Sequence, residues 1–550
     1  MLAVGLVALA AAASASPVQP AQIVFGGSDS FSRHAGLPNI PHDEFNPLDY
    51  MSGIAPYHDA PGANIQPPDG CKVAAAAFLV RHSSIYANDD EFEDYMSPFI
   101  ERVQAAHDRN VSIPSESPLA FLNAWEPLIN DDNLELITEP GKEDAHALGK
   151  RFRELYGPLM PPKHLGKKKQ KGGKSAKGGK GGKGKVKVPW KVWSASSERD
   201  LETSKAWVRG AFPNWQEGKE GEGDGEFVQL VAVKNKDPDW SDSLTPHKIC
   251  DAFTKETGKP AQREWLEVYG PSVRDRMNEQ APGYDFQLED VIAAQMMCGY
   301  ETVIKKERSS PFCSLDVFTP DEFKAFGYWN DLNYHYMVGY GSPVAPYLGV
   351  QWLNVSTHNL LAAYAPDKHV VAPLTFSRVA ALFGKKPKLP PPSAPPDATH
   401  TQLLFVYFTH REEPPVALTA LGLWNTTTES LPTDHIPEGR EWQTSHLLPF
   451  LGHVAIERLH CDSTASLPPS LLSRLALKPV PSHPKKDFVR IIVNGAPQQL
   501  PECHDGPGGS CKLAEFEQFV RRRAEDFGDF KGACAKKDGG DEAAHRSESL

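Results

Sequence analysis

Two unbroken apolar runs dominate the pattern of hydrophobic and polar positions. Val73–Val80 is apolar at eight successive positions and Leu403–Phe408 (LLFVYF) at six. Runs of this length without alternation predict strands buried on both faces, as at the centre of a parallel or mixed sheet. A third strand is predicted in Val188–Arg199 (VPWKVWSASSER), ending in a turn of small residues with Arg199 at its tip. Further strands are predicted in TSHLLPFLGHVAIERLHC and DFVRIIVNG. Helical spacing marks Glu91–Ala106, the stretch from a Pro140-Gly141 turn to Tyr156, Leu201–Ala211, Leu374–Phe383 and Lys512–Ala524. Between 212 and 345, charged helical patterns alternate with turns, as in EDVIAAQMMCGYETVI and DEFKAFGYWNDLNYHYMVGY. The expected fold class is α/β, a sheet core flanked by helices with an inserted, mainly α-helical cap.

This pattern divides the chain. Residues 71–211 and 346–534 form two parts of the core, and 212–345 the cap. Residues 16–70, rich in Pro, Asp and Asn, read as an extended arm over the surface. Residues 535–550 are expected to be a disordered tail. Between Lys167 and Lys187 stand ten Lys and seven Gly in 21 residues, a composition that cannot bury enough to order itself. That insertion reads as a solvated flexible loop, with an electrostatic lure for polyanions as the sharper option.

The strand ends carry the chemistry. Ligands of open α/β sheets bind at the carboxyl ends of strands. There the first run delivers Arg81-His82, the third strand Arg199, and the second run His410-Arg411-Glu412-Glu413. An Arg-His pair alone means little, since Arg33-His34 occurs with no strand before it. Together, though, the three ends hold what phosphoryl transfer through a covalent intermediate needs. A neutral imidazole attacks phosphorus, guanidinium groups hold the equatorial oxygens, a second imidazole donates to them, and a carboxylic acid protonates the leaving alkoxide. This scheme requires no metal and no cofactor.

Composition narrows the setting. The formal net charge of −12 gives a nucleic-acid partner no support. Leu2–Ala12 is almost wholly apolar and precedes Ala13-Ser14-Ala15, which reads as a secretory signal peptide over residues 1–15 despite the absence of Lys or Arg before it. No later run reaches the ~18 apolar residues of a membrane span. The eight cysteines contain no Cys-x-x-Cys pair, which fits an oxidising compartment better than a zinc site. Sequons at Asn110, Asn354 and Asn425 agree with a secreted glycoprotein.

At LVRHSSIYA, SSER before a helix, SPFCSLDVFTPDEF, VGYGSPVAPYLGVQWLN and LLFVYFTHRE, the chain resembles the histidine acid phosphatases, and within them the secreted fungal phytases and acid phosphatases. The resemblance runs from about Cys71 to Cys534. It implies a core related to the phosphoglycerate mutases with a helical cap over the site. By it, His82 is the nucleophile, and Arg81, Arg199 and His410 bind phosphate. It also implies the disulfides Cys71–Cys461, Cys250–Cys534, Cys298–Cys313 and Cys503–Cys511, one of 105 possible pairings.

The departures are specific. The family reads Arg-His-Gly-x-Arg, where this chain has Ser83 and Ile85. The family's His-Asp pair is absent at the second strand end. His410-Arg411-Glu412 instead fits the His-x-Glu form of the multiple inositol-polyphosphate phosphatases, making Glu412 the donor and Glu413 its alternative. A late family Arg aligns with His453 or Gly452, and Arg411 is a candidate to compensate by reaching back to the phosphate. Three readings follow. The first is a secreted acid phosphomonoesterase acting on a small-molecule ester, inositol phosphates included. The second is a phosphate-binding protein on the same fold without activity. The third is a phosphate-transferring mutase, which the leader and cysteines disfavour. The sequence does not reveal an oligomeric state.

Overall fold

The computed structural model describes residues 45–161, 190–218, 228–236, 244–305, 310–362, 402–425, 430–462 and 486–536. The leader, the Lys/Gly-rich insertion, the predicted helix Leu374–Phe383 and the tail from 537 lie outside them.

The two apolar runs become neighbouring strands. β1 (Cys71–Arg81) and β4 (Leu404–Thr409) pair in parallel, with Arg81 opposite Thr409. β2 (Trp190–Ala195) lies parallel on the far side of β4. β5 (His453–Cys461) is antiparallel on the other side of β1, with Val80 opposite His453. The mixed sheet runs β3-β2-β4-β1-β5-β6-β7, with β3 at Val228–Val233, β6 at Lys486–Val493, β7 at Ala496–Gln498 and β8 (Cys511–Lys512) also pairing β6. Because β1, β2 and β4 are mutually parallel, their carboxyl ends face the same edge. That gathers the three chemical segments in one place.

Several expectations need correction. β3 (Val228–Val233) pairs β2 inside the segment read as helical. Its strand pattern, VQLVAV, is short and follows Gly- and Glu-rich chain that hides it. Pro140-Gly141 is no turn before a helix but the first turn of one, Glu139–Tyr156, with Thr138 as cap accepting from the Gly141 amide at 3.0 Å. A proline is tolerated there because its missing N–H has no helical partner anyway. Arg199 likewise sits in the first turn of helix Glu198–Ala211. These two helices press together where Gly149 and Gly210 leave room; a Cβ on either would come within 2.1 Å of the facing backbone.

The segment after 45 is no surface arm. Met51, Ile54 and Ala55 are buried, Ser52 bonds Thr444 at 2.7 Å, and Gly53 lies against Arg81. Between 48 and 60 most of its hydrophobic residues face inward, Leu48, Tyr57 and Ala60 among them.

The predicted helices of the 212–345 segment appear at Leu288–Ile304 and Pro320–Val338, joined by Lys259–Gln280. The four disulfides follow the implied map, and Cys71–Cys461 bridges directly opposed residues of β1 and β5. Among the described residues, no helix is long and apolar enough to cross a membrane. Of the sequons, Asn110 and Asn425 are exposed. Asn354 is 2% exposed inside helix Ala345–Ala362, which leaves a glycan no room on the folded chain.

Candidate active site

At the end of β1 the backbone holds both key side chains. His82 is 1% exposed, and its Nδ1 faces the Ser83 carbonyl oxygen at 2.9 Å. A carbonyl can only accept, so Nδ1 carries the proton and Nε2 the lone pair. Burial first, then Arg81 and Arg199, push the imidazole well below its ordinary value, so it is neutral in mildly acid water. Arg81 is fully buried. Its Nη1 donates to the carbonyls of Gly53 and Leu448, the latter at 2.5 Å, and its plane lies 4.3 Å from the Phe450 ring. Nε and Nη2, also buried, have no partner among the described residues. Burial lowers this group to about 10, which still leaves it a cation. Two unmet donors on a buried guanidinium are costly unless an anion meets them.

The substituted turn residues have other work. Ser83 donates through Oγ to the Gly141 carbonyl at 2.7 Å, and its amide donates to Thr203 Oγ1 at 2.9 Å. Ile85 is fully buried in the apolar core. The family's second arginine is therefore replaced by a packing residue.

At the end of β2, Arg199 pairs with Glu135 at 2.8 Å while its Nε is buried and unmet among the described residues. Beside it is a residue the sequence reading missed. Asp200 is fully buried with Oδ2 2.9 Å from His410 Nδ1. Burial would raise it, but His410, His82 and Arg199 hold it at about 2. The carboxylate lies against Nδ1 of His410, and Nε2 meets Ser197 Oγ at 3.5 Å. The signal available was its position, next to Arg199 at a strand-to-helix junction. The His410 and His82 ring centres are 6.4 Å apart.

Beyond β4, charges bind charges. Arg411 is held by Glu91 and by Asp90 at 3.2 Å, and Glu91 also receives Tyr300 and, at 3.1 Å, Asn88. The expectation that Arg411 reaches back to phosphate is corrected: its guanidinium is committed to these carboxylates. His453 is corrected too. Its ring stacks on Tyr57 at 5.6 Å, beside Phe78 and Phe152, and burial lowers it to about 4.

Glu412 is 5% exposed. Burial raises it, but His247, Arg411, Lys255 and His410 outweigh that and hold it well below the usual carboxylate range. Glu413 is hydrogen-bonded to His247 Nδ1. His247 was also missed, because it comes from the distant turn Pro246–Ile249. Among the described residues, His247, Glu412 and Glu413 bring donor atoms within 4.8 Å of one another, as do Cys503, Cys511 and Glu515. The second set is tied up in a disulfide. In the first, His247 and Glu413 are hydrogen-bonded to each other.

A family model described as the histidine phosphatase superfamily (branch 2) matches residues 79–494. The phytase PHO112 of Candida albicans is 26% identical over 503 residues, covering 89% of this chain and 87% of that protein. The acid phosphatase PHO1 of Komagataella pastoris is 24% identical over 505 residues, covering 90% and 88%. In fold, the chain is similar to the crystal structure of a phytase from D. castellii (TM-score 0.63, 22% identity, 87% of this chain and 86% of that one). It is also similar to a multiple inositol polyphosphate phosphatase of Bifidobacterium longum in complex with inositol hexasulfate (TM-score 0.52, 12% identity, 87% and 98%). With its strand-end histidine and arginine inside a match that spans most of its length, the chain belongs to the histidine phosphatase superfamily, branch 2.

Proposed function

We propose that the chain hydrolyses phosphomonoesters through a phosphohistidine on His82. Arg81, Arg199 and His410 bind the phosphoryl group, and Glu412 protonates the leaving alkoxide. One observation carries the reading. His82 is a neutral, Nδ1-protonated imidazole beside a buried guanidinium with two donors unmet among the described residues. A nucleophile needs the first and a phosphoryl group the second. The enzyme suits acid pH, where a histidine this depressed still carries its lone pair. Relatives named phytases and acid phosphatases support organic phosphates, inositol phosphates among them, as substrates. The chain is read as secreted, which its four disulfides fit.

A second reading, phosphate binding without turnover, is favoured by Ile85 in the core and His453 among aromatic rings, which leave fewer cations in the pocket. One assay separates the two. The purified protein and His82→Ala are compared on an aryl phosphate across about pH 3 to 7. Hydrolysis by the first and none by the second is expected. Equal, negligible rates would leave only the binding reading.

A further inference from the structure

A carboxylic acid that protonates a leaving group must hold a proton, yet His247, Arg411 and Lys255 keep Glu412 ionised. We propose that His247 is the proton reservoir for this step, holding a proton against Glu413 and passing it through Glu412 to the departing oxygen. The inference rests on the phosphohistidine reading above.

The geometry is that of a closed proton-sharing unit. His247, Glu412 and Glu413 are 8%, 5% and 1% exposed, with their ligand atoms within 4.8 Å of one another. Glu413 Oε1 bonds His247 Nδ1, while the buried Oε2 has no partner among the described residues. Two carboxylates this close and this dry cannot both ionise without a cation between them. Arg411 Nε lies 3.6 Å from Glu412 Oε1 but is a permanent cation shared with Glu91 and Asp90; His247, bonded to Glu413, is the cation in the cluster that can give up its proton. Its ring lies 5.8 Å from that of His410, which in turn faces His82. The turn that carries it is fixed on two sides. Thr409, the last residue of β4, donates to the Leu244 carbonyl, and Cys250 is bonded to Cys534.

The charged groups around His247 agree on the sign. Burial disfavours its charge, and Lys248 on its own turn opposes it. Glu413 and Glu412 outweigh both, so the imidazolium persists above the ordinary histidine value. Lys255 and Arg411 stand beside Glu412.

The protons balance. As the bond from His82 Nε2 to phosphorus forms, the ester P–O bond breaks and its electron pair stays on the leaving oxygen. His247 gives its proton to the Glu412 carboxylate, which hands it on to that oxygen, so Glu412 ends ionised as it began and His247 ends neutral. In the second half, water attacks phosphorus, the N–P bond breaks, and the water's proton returns through Glu412 to His247.

The test compares the protein with His247→Gln, which can still donate to Glu413 but cannot titrate. Substrates are p-nitrophenyl phosphate, a good leaving group, and glycerol 2-phosphate, a poor one. The expected result is a kcat on the alkyl ester lower by about tenfold or more, with the aryl ester changed far less. The alkaline limb of the alkyl profile should move toward acid pH. Equal losses on both esters with an unmoved profile, or no loss at all, would overturn the reservoir. If His247→Gln does not fold, Glu413→Gln carries the same expectation, and its failure to move the limb overturns it equally. His82→Ala is run beside them. If it is inactive while His247→Gln behaves like the unaltered protein, only the reservoir falls; if it stays active, the phosphohistidine reading falls as well.

Discussion

The ends of β1 and β4 lie side by side in register, yet hold their side chains by opposite means. After β1, Arg81 and His82 are pinned by neutral backbone carbonyls, those of Gly53, Leu448 and Ser83. After β4, His410, Arg411 and Glu413 are pinned by ions or titratable groups: Asp200, Asp90 with Glu91, and His247. Carbonyl dipoles do not titrate, so the groups that pin Arg81 and His82 stay the same across pH. On the side proposed to deliver the proton, the partners are themselves charged or titratable groups, as such a site requires.

The strongest way to break this contrast is to restore the family's arginine beside the nucleophile. Ile85→Arg would place a cation in apolar core rather than in the pocket. It should destabilise the fold by about 3 kcal/mol or more without raising activity. A stable, faster variant in thermal unfolding and kinetic assays would mean the turn can re-aim this residue. Arg81→Lys keeps a charge but loses the planar fork that meets two carbonyls and, in the proposed function, the phosphate. A drop in kcat/KM of about 10²-fold is expected. A fall below tenfold would show that charge, not geometry, is what matters there.

Asp200→Asn removes the carboxylate behind His410. About a tenfold loss in kcat/KM is expected, with His82's environment little altered. An unchanged rate would make Asp200 a packing residue. The smallest effect is in pH dependence. His82 is depressed, so its neutral form survives as pH falls below 6.5, and the acid limb of kcat/KM should lie well under that value. A limb near 6.5 would mean the site is wetter than its burial implies.

The same contrast decides what could be read from sequence. β1, β4 and their terminal residues are legible because a buried strand is a continuous apolar run, and local order places Arg81, His82, His410 and Glu412 at its end. Asp200 and His247 are not legible. Their roles arise from contacts across the fold, with no spacing rule joining residue 200 or 247 to 410 or 413. β3 stayed hidden because six residues of strand carry little periodicity. Residues 47–57 read as an arm because Pro, Asp, Ser and Gly break their apolar groups out of any helical or strand period, although Leu48, Met51, Ile54, Ala55 and Tyr57 are buried. Ile85 was visible as a departure; only the packing explains that it serves the core.

The central claim is a covalent phosphate on His82. Protein mixed with excess aryl phosphate at acid pH, quenched in alkali within the first turnovers and digested, should yield the His82 peptide carrying one phosphoryl group. The Asp200→Asn and His247→Gln proteins should yield it too. Steady hydrolysis with no phosphate on that peptide, or with the label on another residue, would contradict the account.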